Sequence, residues 1–113
     1  MAGFFKMFKR LNFNLLGVVT CSDFRNGKLP HAYLGKGEKE NKGKLMIYGE
    51  KLDDYVFDKS DIVSANIIAQ EIVFPFNGKR IVGPKYEVKF KDGKIAIFCV
   101  GSASAYKIDS IIF

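Results

Sequence analysis

The chain has 113 residues, 48% hydrophobic, 14% aromatic and 27% charged, with a formal net charge of +6. That apolar content excludes wholesale disorder, and the length fits one domain with its own hydrophobic core. All of the excess charge lies early: residues 1–45 hold nine Lys/Arg against three Asp/Glu, and residues 46–113 hold nine of each. Such an asymmetry suits an anionic partner (lipid head groups, nucleic acid or an acidic protein surface) and equally a solvated basic face.

Residues 1–13, MAGFFKMFKRLNF, are predicted to form a short amphipathic helix. Phe4, Met7, Phe8 and Leu11 share one stripe, Phe5 sits at its margin, and Lys6, Lys9 and Arg10 lie opposite. Basic and aromatic residues segregated in this way suit a membrane interface, or a helix that packs its stripe on its own sheet or on a second subunit. Lys9-Arg10 followed by an apolar run to Cys21 has the outline of a lipoprotein signal. That run is short and contains Asn12 and Asn14, so the expectation is an uncleaved cytoplasmic protein, peripheral to the inner membrane face where it meets lipid. No run reaches transmembrane length.

Residues 14–113 are read as a single domain. Residues 14–25 are a strand candidate, and Asn26-Gly27 is a hairpin signal that would pair Phe24 with Leu29, with Pro30 restricting the second arm to an edge. Gly35–Gly43 is polar and glycine-punctuated and reads as a mobile loop. Lys44–Gly49 and Leu52–Phe57 read as strands around a turn, and Asp58–Asp61 as a second turn. Ile62–Phe76 is a long apolar, β-branched run read as a strand, and Asn77-Gly78 leads to a further strand over Lys79–Val82.

Tyr86–Lys91 and Lys94–Val100 flank Asp92-Gly93, the strongest local hairpin signal in the chain. A two-residue turn there pairs Lys91 with Lys94, Phe90 with Ile95, Val88 with Ile97 and Tyr86 with Cys99. It leaves Glu87, Lys89, Lys91, Lys94, Ala96 and Phe98 on a wetter face. After Val100 the period changes: Ser102 and Ser104 are N-cap candidates, and Ala105, Ile108 and Ile112 share the face of a terminal helix that must cover part of the sheet. The expected fold is therefore mainly β (α+β): a small antiparallel β-barrel or sandwich of about seven strands, with a C-terminal helix and a short N-terminal helix.

The order of these elements resembles the bacterial pleckstrin-homology-like (PH-like) domains. The resemblance is carried by Gly43-Lys44-Leu45-Met46-Ile47, Leu52–Phe57, Ser60-Asp61-Ile62-Val63-Ser64, and Tyr86 through Lys94 leading to the helix. It covers about residues 43–113. It implies a partly open barrel of seven antiparallel strands closed at one end by a C-terminal helix. Lipid-binding members are similar to one another in a basic cluster between the first two strands, where this chain has Leu-Met-Ile-Tyr after Lys44. Sm-like and oligonucleotide-binding barrels share the coarse pattern.

Little in the sequence carries chemistry. His31 is the only histidine, and no nucleophile or acid–base set can be assembled around it, so the chain is not read as an enzyme. Glu50, Asp53, Asp54, Asp58 and Asp61 lack the spacing of a calcium loop and read as solvated turns. Gly35-Lys36-Gly37 lacks the pattern of a phosphate loop. Cys21 and Cys99 read as buried free thiols, though their spacing leaves a disulfide open. Phe98 with Lys89 is a candidate stacking surface for single-stranded nucleic acid, or a surface covered by another part of the protein. The expected function is a non-enzymatic binding or assembly module without cofactor, metal or small-molecule substrate. Its partner is a protein (a second copy included) or an anionic membrane surface. Its candidate contacts are Phe4, Phe5, Lys6, Phe8, Lys9, Arg10, Lys36, Lys39, Lys42 and Lys44, with single-stranded nucleic acid as the alternative ligand.

Overall fold

The structure, a computed structural model, describes residues 12–20, 22–29, 31–76 and 78–113. The helix expected over residues 1–13 falls mostly outside these residues, and Phe13 itself opens a strand. The strands are β1 (Phe13–Val19), β2 (Ala32–Gly37), β3 (Leu45–Gly49), β4 (Leu52–Phe57), β5 (Ile62–Phe76), β6 (Lys79–Phe90) and β7 (Ile95–Val100), followed by helix α1 (Ala105–Ile112). They form one antiparallel sheet in the order β4-β3-β2-β1-β7-β6-β5. β4 and β5 end that order on opposite sides, yet only residues 58–61 join them. The sheet must therefore curl into a half-barrel.

Its concave face holds the core. Val19, Leu34, Leu45, Ile47, Phe57, Val88 and Phe98 form one buried cluster with Ile108, Ile111 and Ile112 of α1. The helix is tied at two places. The Tyr86 hydroxyl donates to Asp109 Oδ1 at 2.8 Å, and Lys59 Nζ donates to the Phe113 backbone oxygen at 2.7 Å. The other flank is filled by an aromatic group in which Phe24, Tyr55, Phe57 and Phe90 meet edge to face or tilted, with centroids 4.8–6.0 Å apart. Such ring pairs add to the area they bury.

The β6–β7 hairpin exists, but its register differs by one residue from the two-residue turn. Phe90 N donates to Lys94 O at 2.9 Å and Gly93 N to Phe90 O at 3.0 Å, with Gly93 at φ 93°. This is a three-residue loop whose glycine supplies the left-handed position of a bulge. The pairs become Lys89 with Ile95, Val88 with Ala96 and Tyr86 with Phe98. A slip of one residue turns every β7 side chain to the other face. Phe98 is completely buried, so it offers no stacking surface.

Three further expectations are corrected. The first strand ends at Val19, and the Asn26-Gly27 turn closes only an isolated bridge between Asn26 and Leu29. Gly35–Gly37 belong to β2, where a Cβ on Gly37 would strike the Asn41 backbone oxygen, so the loop to β3 is shorter than expected. The strand begun at Lys79 runs unbroken through Gly83-Pro84 to Phe90. It does so because Pro84 lies where the β5–β6 register shifts between Ala69 and Ile72, and a bulge needs no ladder donor there.

Beyond Gly83 the β5–β6 pair extends past β7 as a two-stranded arm that closes at Phe76 and Lys79. Phe74 of this arm meets His31 at 5.9 Å, His31 meets Tyr33 at 5.7 Å, and Tyr33 meets Tyr48 at 5.5 Å. Three strands separate β2 from β5 in the sheet order. A contact between them therefore requires the arm to fold back over the convex side. Cys99 is a free, buried thiol; Cys21 lies outside the described residues.

Candidate functional site

Ten residues stand out in the sequence as contacts, and four of them are described. Phe4, Phe5, Lys6, Phe8, Lys9 and Arg10 lie outside the described residues. Lys36, Lys39, Lys42 and Lys44 come together around the β2–β3 loop, which is folded rather than loose. Gly37 N donates to Lys44 O at 2.9 Å and Lys44 N to Asn41 O at 3.0 Å, around a 3₁₀ turn at Lys39–Asn41. Lys39 adopts φ 54°, the left-handed conformation that side chains other than glycine rarely take.

The loop's two glutamates are engaged. Glu38 Oε1 accepts from Asn14 Nδ2 at 3.2 Å and pairs with Lys36 Nζ at 3.4 Å, while Glu40 Oε1 accepts from Asn12 Nδ2 at 3.5 Å. Lys39, Lys42 and Lys44 are exposed, so three cations project from one short turn. Lys44 also acts on Asp58. The Ser60 side chain and backbone bonds first, then Lys44 and Lys91, hold that carboxyl below the usual range. Asp58 and Asp61 form a reciprocal capping box across this turn.

A second region was not singled out in the sequence. β5 pairs with β6 alone, and among the described residues its other edge has no strand partner. It is fifteen residues long and carries one ionisable side chain, Glu71. Val63 is 67% exposed, Ile68 48% and Val73 48%; Val82, the partner of Val73 on β6, is 47% exposed. A near-continuous apolar run ordinarily marks a strand buried on both faces. Here the topology places it at the rim of the sheet, and only the strand order reveals that.

Beside this edge, the register shift in β5 opens a cleft of about 470 Å³ toward α1, lined by Ile67, Glu71, Pro84, Tyr86, Ser102 and Asp109 among others. Burial and then the Asp109 contact push the Tyr86 hydroxyl above its ordinary pKa, so it stays a neutral donor. Ser102 Oγ donates to Val82 O at 2.9 Å. Burial likewise pushes the Cys99 thiol up and away from the reactive thiolate. Among the described residues no group of three or more His, Cys, Asp or Glu is placed to hold a metal ion, and no helix is long and apolar enough to cross a membrane. No protein-family model matches the chain, and no curated protein or solved structure matches it.

Proposed function

We propose that the chain is a non-enzymatic binding and assembly module, a PH-like β-barrel domain that docks protein partners by strand addition along β5. The β5 edge carries this reading. It is long, apolar and nearly uncharged, and it lacks the lysines and the brevity with which exposed edges are otherwise blunted. Seven antiparallel strands and a C-terminal helix are the layout that the family resemblance implies, which supports the PH-like reading. A peptide copying residues 62–76 with lysine tails, titrated into the isotope-labelled chain, is expected to shift the amide resonances of β5 and β6. Shifts confined to other strands, or none, would overturn strand addition.

A second reading has its own observation. The basic, aromatic N-terminal region engages an anionic membrane surface, with Lys39, Lys42 and Lys44 as the described contacts, because these side chains remain exposed while their loop's glutamates are engaged. Near an anionic leaflet each lysine contributes about 1 kcal/mol. Co-sedimentation with phosphatidylserine vesicles should exceed that with phosphatidylcholine vesicles and fall when the three lysines become alanine. Equal binding to both vesicles would remove this reading.

A further inference from the structure

We infer that the β5–β6 arm is a strap: it closes over an apolar row on the convex face of the sheet and opens about a pivot at Gly83-Pro84. The inference holds whether or not β5 accepts a partner strand. Val18 pairs with Tyr33 on one side and with Cys99 on the other, and Cys99 pairs with Lys85. These four residues form one row across β2, β1, β7 and β6. Their chain neighbours Val19, Phe98 and Val100 belong to the concave core, so the row faces the convex side. Val18 is 0% exposed there and Cys99 1%. A sheet face reaches such burial only beneath a second layer.

The arm has the path to supply that layer. From β6 to β2 is three strand spacings, about 14 Å. Phe74 nevertheless meets His31, the residue before β2, at 5.9 Å. Gly83 sits against Val100, where a Cβ would strike the Val100 backbone oxygen. His31 lies at the other end, past the row in which Ala32 pairs with Val19 and Val19 with Phe98. The way from Gly83 to His31 therefore crosses Cys99 and Val18. The arm is also built to move as a unit. Lys79–Gly83 pair with β5 alone, whereas Lys85–Lys89 pair on both sides. Gln70 and Glu71 break the β5 register opposite Pro84, which donates no ladder bond. Ser102 Oγ holds Val82 O at the arm's base at 2.9 Å, and the Phe74 ring latches its far part to His31. A broken ladder between a base tether and a ring latch opens before the body of the sheet.

Alkylation of Cys99 by N-ethylmaleimide in the folded chain tests this, read in a Cys21→Ser background so that one thiol reports. Labelling is expected to be slow and insensitive to denaturant well below the unfolding transition. Phe74→Ala should speed it about tenfold, the scale of a lost ring contact. Val63→Ala, on β5 outside the arm, should leave the rate unchanged. A rate that Phe74→Ala does not move overturns the strap, and so does one that tracks global unfolding in its denaturant dependence. If either variant fails to fold, the unmodified chain decides. Protection of Cys99 from alkylation, mapped by mass spectrometry, should then match the hydrogen-exchange protection of amides 79–82 and fall below that of amides 86–88. Cys99 protected as strongly as amides 86–88 would show that the arm does not uncover it.

Discussion

The sheet ends in two edges that are built differently. β4 is six residues long, carries Asp53 and Asp54, and is anchored at its far end by Tyr55 and Phe57, which share one face. Phe57 is 2% exposed inside the aromatic group, and the Tyr55 hydroxyl donates to Asp92 Oδ2 at 2.7 Å, reaching from the edge to the tip of the β6–β7 hairpin. β5 is fifteen residues long, pairs on one side only, and leaves Val63, Ile68 and Val73 at the surface. The same chain thus protects one edge by brevity, charge and tethers, and leaves the other long and apolar, interrupted by register shifts and Pro75. β5 has none of the brevity, charge or tethers of β4, and that contrast is what supports the strand-addition proposal.

The largest expected effect breaks the anchored edge. Phe57→Ala removes a ring packed against Tyr55 and Phe90, at 6.0 and 4.8 Å between centroids, and should cost about 3–5 kcal/mol in denaturant unfolding. Val63→Ala on the other edge removes a side chain already 67% exposed and should stay within about 0.5 kcal/mol, measured at a concentration where the chain is monomeric. Equal costs at the two sites would mean that the edges are not differently built.

The difference between the edges was only half legible in the sequence. The run Ile62–Phe76 declares a strand through its β-branched residues, and the Asp58–Asp61 turn declares the corner before it. Neither says which strands become neighbours, because strand order is set by long-range pairing that local patterns do not encode. The β6–β7 register illustrates the same limit at short range. β7 reads Ile-Ala-Ile-Phe-Cys-Val and has no polar alternation to select a face, so a turn one residue longer suits its side chains equally well. The α1 stripe was legible because its period differs from that of the strands: Ile108 and Ile112 are buried as expected, joined by Ile111. The lysine loop was legible in composition. Its compact turn was not, since it depends on Asn14 of β1 and Asn12 just before that strand reaching across to Glu38 and Glu40.

A middle-sized effect probes how α1 closes the β5 side. Tyr86→Phe keeps the ring in the core but removes the 2.8 Å bond to Asp109, leaving a half-buried carboxylate without that donor. A loss of about 1 kcal/mol is expected, with exchange of the α1 amides rising before that of the β6 amides. Unchanged α1 exchange would show that the isoleucine contacts alone hold the helix.

The smallest effect concerns the tether on the β4 side and is read through pH. Asp92 is held below the ordinary carboxylate range, first by the backbone N–H of Lys94 and then by the Tyr55 hydroxyl. A lowered folded-state pKa contributes stability that is present above the unfolded value, about 3.9, and is lost as pH falls through the folded value. Tyr55 shifts the opposite way, upward through burial first and Asp92 second. Its neutral form is favoured in the fold, so its contribution is present below the unfolded value, about 10, and is lost as pH rises beyond it. Tyr55→Phe should therefore lower the melting temperature slightly at neutral pH, with a shallower decline than the unmodified chain below about pH 4 and above about pH 10. Melting curves that run parallel across the whole range would show that the Tyr55–Asp92 bond does not hold the β4 edge, leaving the ring contacts of Tyr55 and Phe57 as its anchor.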